Sequence, residues 1–516
     1  MKKIILISFF IILSFAAISI PTNSISGGGW NLGNKNSSSS GESNSTDNFA
    51  VRPAEFNVSS YPKVVKAGNE FNLTINALDN NNSNSNDYNE TISVTNSSPI
   101  IEYNDSKGDV CYTGNLTGND KNFTNGEVNI TLKYSEVGDL NITIKEINGT
   151  EFAKVDNDDT NLSQRLIKEK NITISFLPHH FERNITFADS NFTYFDKYLN
   201  QTALMDINIT AKNEANETTK NYNKLCYAKD IELNISLNEL VNGNNEITKL
   251  KYYYVDTNNT KYNIQTINKS NPIVIDYNES NFTTENNGST YMQIYFNFDR
   301  NFSNPTSPME VNISEFNISD TNITDTNQSY VNSEGNATFY YGTVIIPDIE
   351  IDGDEKNVTF KAVIYDTDKN DNLKPTNTIL NYNWYFNKFH QAKDGNITNS
   401  DIVVSSDYNS SNTINGVDVN ITSITNGEFN LTIKRTDSSI SKVILHYMSP
   451  ALKWLWYNKF ENEYNISNGS TCMQHFCSDV KFNNNSQIIG IGFGSFQGSE
   501  INTTKNKTDS HLKIYR

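Results

Sequence analysis

One short frame recurs along the 516-residue chain: an acidic residue, any residue, Asn, any residue, then Ser or Thr. Within residues 70–77 the Glu, Asn and Thr of this frame alternate with Phe, Leu and Ile. Strict alternation is typical of a β-strand with one polar and one apolar face, because successive side chains point to opposite sides. Residues 127–134 and 139–146 repeat the pattern on both sides of a Gly-containing turn, which predicts a β-hairpin.

Such strand patterns return at intervals of about 10–20 residues, and helical periodicity is nearly absent. This spacing predicts an all-β fold made of tandem immunoglobulin-like β-sandwich domains. The predicted order is a signal peptide at 1–26, a flexible Gly/Ser/Asn linker at 27–50, an immunoglobulin-like β-sandwich at 51–178, a second β-sandwich at 179–345 and a C-terminal β domain at 346–516.

The core of the frame, Asn-x-Ser/Thr, is the acceptor sequence for N-linked sugar. About 42 cores occur, and about 34 of them have an acid two residues before the Asn, whereas chance would place an acid there in about 5. Polar alternation alone would also place Lys or Arg at that position, and none occurs there. The frame resembles the extended acceptor of bacterial N-glycosylation, and this resemblance implies that the chain is glycosylated. The predicted sites are Asn57, Asn72, Asn89, Asn104, Asn129, Asn141, Asn208, Asn312, Asn357 and Asn430.

The first 18 residues predict export. Two lysines follow Met1, and an apolar run continues to about Ile18, as in a secretory signal peptide. Retention as an uncleaved anchor is the alternative. No later stretch is long enough for a membrane-spanning helix, so we expect no membrane span after signal cleavage. The net charge of −18 argues against nucleic acid as a partner.

Four cysteines in an exported chain favour disulfide bonds. Cys472 and Cys477 enclose a short loop and are predicted to bridge locally, with a metal site that includes His475 as the weaker alternative. Cys111 and Cys226 fall in different predicted domains, and the sequence leaves their pairing open.

No catalytic motif is apparent, and no cofactor is expected apart from a weak calcium candidate. Asp366, Asp368 and Asn370 place oxygen ligands at alternating positions, as calcium loops do, but a solvated loop is the favoured interpretation because the Gly and Glu of a calcium loop are missing. His179 and His180 are expected to be an exposed linker pair, and His390 a packed histidine.

Several segments resemble one known domain. They are residues 49–56, which contain Arg52 and Pro53, residues 66–79, residues 134–139, residues 226–230 and residues 384–390. Together they are similar to the C-terminal domain of unknown function in proteins of the mannose-sensitive haemagglutinin (MSHA) pilus biogenesis protein Q type. The resemblance covers roughly residues 49–516 and implies a pilus-associated role.

These patterns predict a non-enzymatic, exported glycoprotein of the periplasm, outer surface or extracellular space, with a structural, pilus-associated or adhesive role. Its expected partners are other surface or pilus proteins, or host or environmental glycans. The alternative is a carbohydrate-active hydrolase that carries β-sandwich modules, for which the sequence offers no acid/base pair that stands out from so acidic a chain.

Overall fold

A computed structural model describes residues 52–95, 99–147, 161–188, 192–240, 247–368, 383–457 and 475–483. The described residues are mainly β-strands, which form three successive two-sheet sandwiches. The predicted fold class, all-β with tandem immunoglobulin-like sandwiches, is confirmed. The predicted signal peptide and linker lie outside the described residues.

Sandwich 1 comprises the strands from Glu55 to Leu177. Its first sheet contains, in spatial order, β1 (Glu55–Ser60), β3 (Glu70–Leu78), β8 (Glu127–Tyr134) and β6 (Leu116–Gly118). Its second sheet contains β2 (Val64–Lys66), β10 (Lys170–Leu177), β9 (Gly138–Lys145) and β5 (Ile100–Asp105). A two-stranded ribbon consists of β4 (Thr91–Ile92) and β7 (Lys121–Asn122).

Sandwich 2 comprises the strands from His180 to Tyr340. Its first sheet contains, in spatial order, β16 (Gln265–Asn268), β15 (Lys249–Asp256), β18 (Ser289–Phe298), β13 (Ala203–Lys212), β11 (His180–Ala188) and β21 (Val331–Glu334). The facing sheet contains β12 (Thr193–Tyr194), β22 (Ala337–Tyr340), β19 (Met309–Ser319), β14 (Ile231–Glu239) and β17 (Ile273–Tyr277), with β20 (Thr324–Asp325) beside β19.

Sandwich 3 comprises the strands from Gly342 to Asn483. Its first sheet contains β23 (Gly342–Ile345), β25 (Glu355–Tyr365), β29 (Glu428–Arg435) and β28 (Val417–Thr425), with β26 (Trp384–Phe386) beside β25. Its second sheet contains β24 (Ile349–Asp352), β31 (Phe476–Asn483), β30 (Lys442–Tyr447) and β27 (Ile402–Ser405).

Helical structure among the described residues is short. It consists of α1 (Leu162–Arg165) and the 3₁₀ helices Gly108–Val110, Glu279–Asn281, Gln328–Tyr330, Ala392–Asp394, Asn399–Asp401 and Pro450–Leu455. Within the ranges described, no helix has both the length and the apolar character that crossing a membrane requires.

The alternation in the sequence becomes alternation in burial. On β3 the side chains of Phe71, Leu73 and Ile75 are buried, while Asn72 between them is exposed. Each large apolar side chain that leaves water in this way stabilises the fold by about 1.5–3 kcal/mol. The recurring frame therefore builds each sandwich core with one face and leaves its acid, Asn and Thr on the outer face.

An Asn-Gly turn sets the strand pairing in the β28–β29 hairpin. Asn426 and Gly427 join β28 to β29 and have φ angles of 52° and 81°. Both central residues of a type I′ turn need positive φ, which Asn and Gly adopt most readily. A Cβ on Gly427 would also lie 2.2 Å from the carbonyl oxygen of Asn387.

Candidate functional site at the sandwich junctions

The three apolar cores are not closed off from each other. The core of sandwich 2 includes Ala67 and Val137 from sandwich 1, and Val363 and Trp384 from sandwich 3. Tyr194 of sandwich 2 is in turn part of the core of sandwich 3. Junction 1, between sandwiches 1 and 2, and junction 2, between sandwiches 2 and 3, are therefore packed interfaces.

A disulfide bond crosses junction 1. Cys111 follows the 3₁₀ helix Gly108–Val110 of sandwich 1, and Cys226 lies between β13 and β14 of sandwich 2. The two residues are 115 positions apart, and their Cα atoms are 5.8 Å apart. The structure therefore settles the pairing that the sequence left open. A loop of this length corresponds to about 4–5 kcal/mol in the chain-entropy model of disulfide stabilisation.

Asn221 and Glu136 connect the same two sandwiches through buried hydrogen bonds. The Glu136 carboxylate accepts the backbone N–H groups of Lys220, at 2.8 Å, and of Asn221, at 2.7 Å. The Asn221 side chain accepts the N–H of Tyr112, at 2.9 Å, and donates to the Tyr112 carbonyl, at 2.7 Å. Asn221 also donates to the Val137 carbonyl, at 3.2 Å. The amide thus bonds to the backbone of sandwich 1 much as a neighbouring strand would.

The Glu136 carboxyl group lies in an unusual environment. It is 3% exposed, and its burial raises its pKa to about 7. The N–H groups of Asn221 and Lys220 and the Lys220 charge oppose this rise, and Asp105 adds to it. Glu136 therefore titrates close to neutral pH at the centre of junction 1.

Tyr227 closes the other side of junction 1. Its hydroxyl donates to Asp105 Oδ1, at 2.9 Å, and its ring packs directly on Gly138. A Cβ on Gly138 would lie 2.3 Å from a ring carbon, and Gly138 has a φ of 130° that L-residues rarely adopt. The Lys107 ammonium lies 4.5 Å from the ring centroid and donates to the Cys226 carbonyl.

The chain crosses junction 1 at His179 and His180, where the sequence-based expectation was wrong. His180 is the first residue of β11 and is 3% exposed rather than part of an exposed linker. Its ring stacks on Tyr330 with a centroid distance of 3.8 Å. Burial, together with a smaller effect of the His179 charge, lowers the pKa of His180 to about 4. The packing of β11 into sandwich 2 leaves no room for a solvated connection here.

Junction 2 is built around Tyr194. Its hydroxyl lies 2.9 Å from His390 Nδ1 and accepts a hydrogen bond from Asn387 Nδ2, also at 2.9 Å. Because His390 Nε2 lies 3.1 Å from the Gly395 carbonyl, Nε2–H donates there and Nδ1 accepts the tyrosine proton. His390 is fully buried, and burial lowers its pKa to about 4, so it is a neutral packing residue, as expected from the sequence.

Arg300 also crosses junction 2. Its guanidinium carbon lies 3.7 Å from the centroid of the Tyr341 ring, and Nη2 donates to the Gly342 carbonyl, at 2.6 Å. The same Nη2 atom donates to the Trp456 carbonyl of sandwich 3, at 3.0 Å. Burial lowers the pKa of Arg300, and stacking on an aromatic ring compensates part of the lost hydration.

The predicted glycosylation sites are accessible in part. Asn72, Asn89, Asn104, Asn129, Asn208 and Asn357 are exposed, and Asn57, Asn141, Asn312 and Asn430 are half-buried. Asn89 lies in a loop, and the other nine lie on strands. Modification at these positions stays a prediction.

The remaining predicted sites also stay predictions. Asp366 Oδ1 accepts the N–H of Asp368, at 3.0 Å, while Asn370 lies outside the described residues. Among the residues that the structure describes, no group of three or more His, Cys, Asp or Glu is arranged to hold a metal ion. Cys477 is disulfide-bonded, and Cys472 lies outside the described residues.

Sequence reasoning missed Glu136, Asn221, Tyr194 and Arg300 as junction residues. In an acidic and Asn-rich chain, single polar residues beside turns look like ordinary surface positions. One available signal was the resemblance itself, because its segments 226–230 and 384–390 contain Cys226, Asn387 and His390.

Comparison with a protein-family model supports part of the resemblance. Residues 175–340 match the model described as DUF6701, third domain. The match covers less than half of the chain and extends from within β10 to the end of β22. It agrees with the expected domain of unknown function for this part of the chain. Among the curated proteins, none matches the chain.

Solved structures of surface proteins are among those to which this chain is similar. The Escherichia coli adhesin FdeC has a TM-score of 0.32 at 10% identity and is matched over 84% of this chain and 98% of its own. Invasin, a bacterial integrin-binding protein, has a TM-score of 0.22 at 9% identity over 83% of this chain and 59% of its own. The S. aureus collagen adhesin has a TM-score of 0.15 at 11% identity over 56% of this chain and 91% of its own. Because all three TM-scores are below 0.5, these similarities carry no argument about function.

Proposed function

We propose that this chain is a non-enzymatic, exported glycoprotein that acts as a structural or adhesive component of the bacterial surface. The observation that carries the proposal is the construction of the two junctions. A disulfide, buried hydrogen bonds and shared cores hold three sandwiches in fixed relative orientation. Such a construction suits a protein whose task is to hold a binding surface or an assembly partner at a defined place.

The Cys111–Cys226 bond supports export. Disulfides form and persist in the periplasm and outside the cell, and are rare in the cytoplasm. The signal-like first 18 residues and the acid-marked Asn frames agree with this location. The frames further suggest that sugars cover the outer sheet faces, where the exposed Asn72, Asn129 and Asn357 lie.

A pilus-associated role is the more specific form of the proposal. It rests on the resemblance to the MSHA pilus biogenesis protein Q type, together with the DUF6701 match at residues 175–340. In this role the chain would contact other surface or pilus proteins, whereas in an adhesive role it would contact host or environmental glycans.

Protease treatment of intact host cells tests the proposal. The tagged protein should disappear from intact cells under protease, and deletion of its gene should lower adherence or pilus number several-fold. Complementation with a Cys111→Ser, Cys226→Ser double variant should restore less than the wild-type gene, because junction 1 is weakened. A protein that stays in the cytoplasm, or a deletion without effect on adherence and pili, would contradict the proposal.

Turnover of a polysaccharide by the purified protein would instead support the hydrolase alternative. A panel of soluble polysaccharides, assayed for new reducing ends, tests this directly. We expect no release above that of a heat-denatured sample.

A further inference from the structure

Three pairs of neighbouring strands bring two acid-marked frames together in the same antiparallel register. In each pair the Asn of the first frame lies opposite the Thr of the second frame, and the Thr of the first lies opposite the Asn of the second. In β3 and β8, Asn72 faces Thr131 and Thr74 faces Asn129. In β9 and β10, Asn141 faces Thr173 and Thr143 faces Asn171. In β25 and β29, Asn357 faces Thr432 and Thr359 faces Asn430. Two of these pairs belong to the two sheets of sandwich 1, and the third belongs to sandwich 3.

The facing side chains form hydrogen bonds of one kind, from a Thr hydroxyl to an Asn side-chain oxygen. The distances are 2.7 Å from Thr131 to Asn72, 2.5 Å from Thr143 to Asn171, 2.9 Å from Thr173 to Asn141, 2.7 Å from Thr359 to Asn430 and 2.7 Å from Thr432 to Asn357. The second and third strand pairs thus have the bond in both directions. Cross-strand pairs of this type are a recognised source of sheet stability.

The acids at the ends of these frames also have partners on the opposite strand. Each partner lies four positions after the Asn of its own frame. The contacts are Glu70 with Lys133 at 3.5 Å, Glu127 with Asn76 at 2.9 Å, Asp139 with Ser175 at 2.5 Å and Glu355 with Lys434 at 3.2 Å. An acid in one frame therefore faces a lysine or another donor in the other frame.

We propose that the acid-x-Asn-x-Thr frame, followed two residues later by Lys or another hydrogen-bond donor, is a self-complementary pairing module that recognises an antiparallel copy of itself and sets the register. Read in opposite directions, two copies place Asn opposite Thr and each acid opposite the terminal donor, which is Lys on both strands of β25 and β29. A shift by two residues keeps the apolar face buried, so the core alone does not exclude it. The outward side chains disfavour it, because a shift breaks the three outward contacts of a strand pair together.

Within its three strand pairs, the module gives the acid a role that does not depend on sugar. In β25 and β29 the fourth residue after each Asn is Lys361 and Lys434, and these face Glu428 and Glu355. A base in the acid position would face one of these lysines, and like charges directly opposite destabilise a sheet. In the three strand pairs of this register, pairing therefore disfavours a base at the acid position.

Sandwich 2 provides an internal contrast. There Asn234 faces Asn317, and Asn184 faces Asn208, so the frames are paired in a different register. Asn234 donates to Glu232 of its own frame, at 2.8 Å, instead of accepting from a Thr across the strands. The Thr-to-Asn bonds therefore belong to one specific register and do not follow from the frame sequence wherever it occurs.

A pair of threonine substitutions in β3 and β8 tests the module. Thr131 donates to Asn72, whereas no side-chain hydrogen bond joins Thr74 to Asn129 in the described part of the chain, although these two also face each other. Thr131→Val and Thr74→Val make the same chemical change in the same strand pair. We produce full-length protein in a host that adds no N-linked sugar and measure amide hydrogen exchange in both strands.

We expect Thr131→Val to raise exchange rates in β3 and β8 by about two- to fivefold and Thr74→Val to leave them within error. Equal effects of the two variants would overturn the hydrogen-bond part of the proposal.

A charge exchange in β25 and β29 tests the ends of the module. Glu355→Lys and Lys434→Glu alone place like charges opposite each other, and each should raise exchange in these strands. The double variant should return exchange close to the wild-type rate, and high salt should reduce all differences. Failure of the double variant to recover would overturn the role of the acid.

These experiments use unmodified protein, so their outcome is independent of the proposed surface function and of glycosylation. Glycopeptide mapping of protein from its own host answers the separate question of sugar attachment.

Discussion

Cys111 and Cys226 belong to different sandwiches, and their disulfide crosses the same junction as the buried hydrogen bond between Glu136 and the N–H of Asn221. The covalent bond and the hydrogen bonds act on the same relative movement of sandwiches 1 and 2. Either the disulfide or the hydrogen bonds alone limit how far junction 1 can open. The losses of stability on removing each of them should therefore not be additive.

Removal of this disulfide should destabilise junction 1 before it affects the rest of the chain. We expect the Cys111→Ser, Cys226→Ser double variant to lower the free energy of unfolding by about 2–5 kcal/mol. Differential scanning calorimetry should show a lower first transition, and limited proteolysis should cut faster near residue 178. A Cys472→Ser, Cys477→Ser variant is the control, and a proteolysis rate near residue 178 equal to that of the control would contradict the prediction.

The stability of junction 1 should depend on pH through Glu136. Burial raises its pKa in the folded chain to about 7, above the ordinary value of 4.5, so the folded state binds the proton more tightly than the unfolded state. Proton binding by Glu136 therefore contributes to the free energy of unfolding. This stabilisation is fully present below about pH 4.5 and is lost as the pH rises through 7. Melting temperatures between pH 5 and 8 should fall more for the wild type than for Glu136→Gln. Parallel curves for the two proteins would refute the assignment.

The hydroxyl of Tyr194 should stabilise junction 2. Tyr194→Phe leaves His390 Nδ1 and Asn387 Nδ2 without this partner in a buried site, which costs about 1–3 kcal/mol. Chemical denaturation measures the loss. Tyr198→Phe is the matched control, because Tyr198 is 48% exposed and should change stability by less than about 0.5 kcal/mol.

The close approach of Tyr227 to Gly138 predicts a strong effect of a single methyl group. Gly138→Ala should lower stability by more than about 2 kcal/mol, because a Cβ would lie 2.3 Å from the Tyr227 ring at a φ of 130°. Gly353 has a φ of 99° with open space around it, so Gly353→Ala reports backbone strain alone. Thermal melting that ranks the two variants equally would show that the ring contact contributes nothing.

Sugar occupancy should follow exposure. In protein from its own host, glycopeptide mass spectrometry should find Asn357, which is exposed, more fully modified than Asn312, which is half-buried with a buried side-chain oxygen. Bare peptides at both sites in exported protein would contradict the prediction that the acid-marked frames are glycosylated.

The sequence by itself determined the strands and their faces. The alternation in residues 70–77, 127–134 and 139–146 places apolar side chains on one side, and burial of that side follows from the hydrophobic effect. The Asn-Gly pair at residues 426–427 likewise determines a tight turn locally, because its two residues accept positive φ. The division into domains at 178 and 345 remains a prediction about independently folding units.

Tertiary structure alone decided the junctions and the register. Cys111 and Cys226 are 115 residues apart, and no local sequence pattern predicts that they form a disulfide bond. His180 looked exposed from its neighbours in sequence, yet the packing of β11 buries it against Tyr330. The frame of Asn141 faces Thr173 on β10 but Asn104 on β5, because register depends on the opposing strand. Period-two alternation specifies which face of a strand is buried, whereas long-range contacts choose its partner.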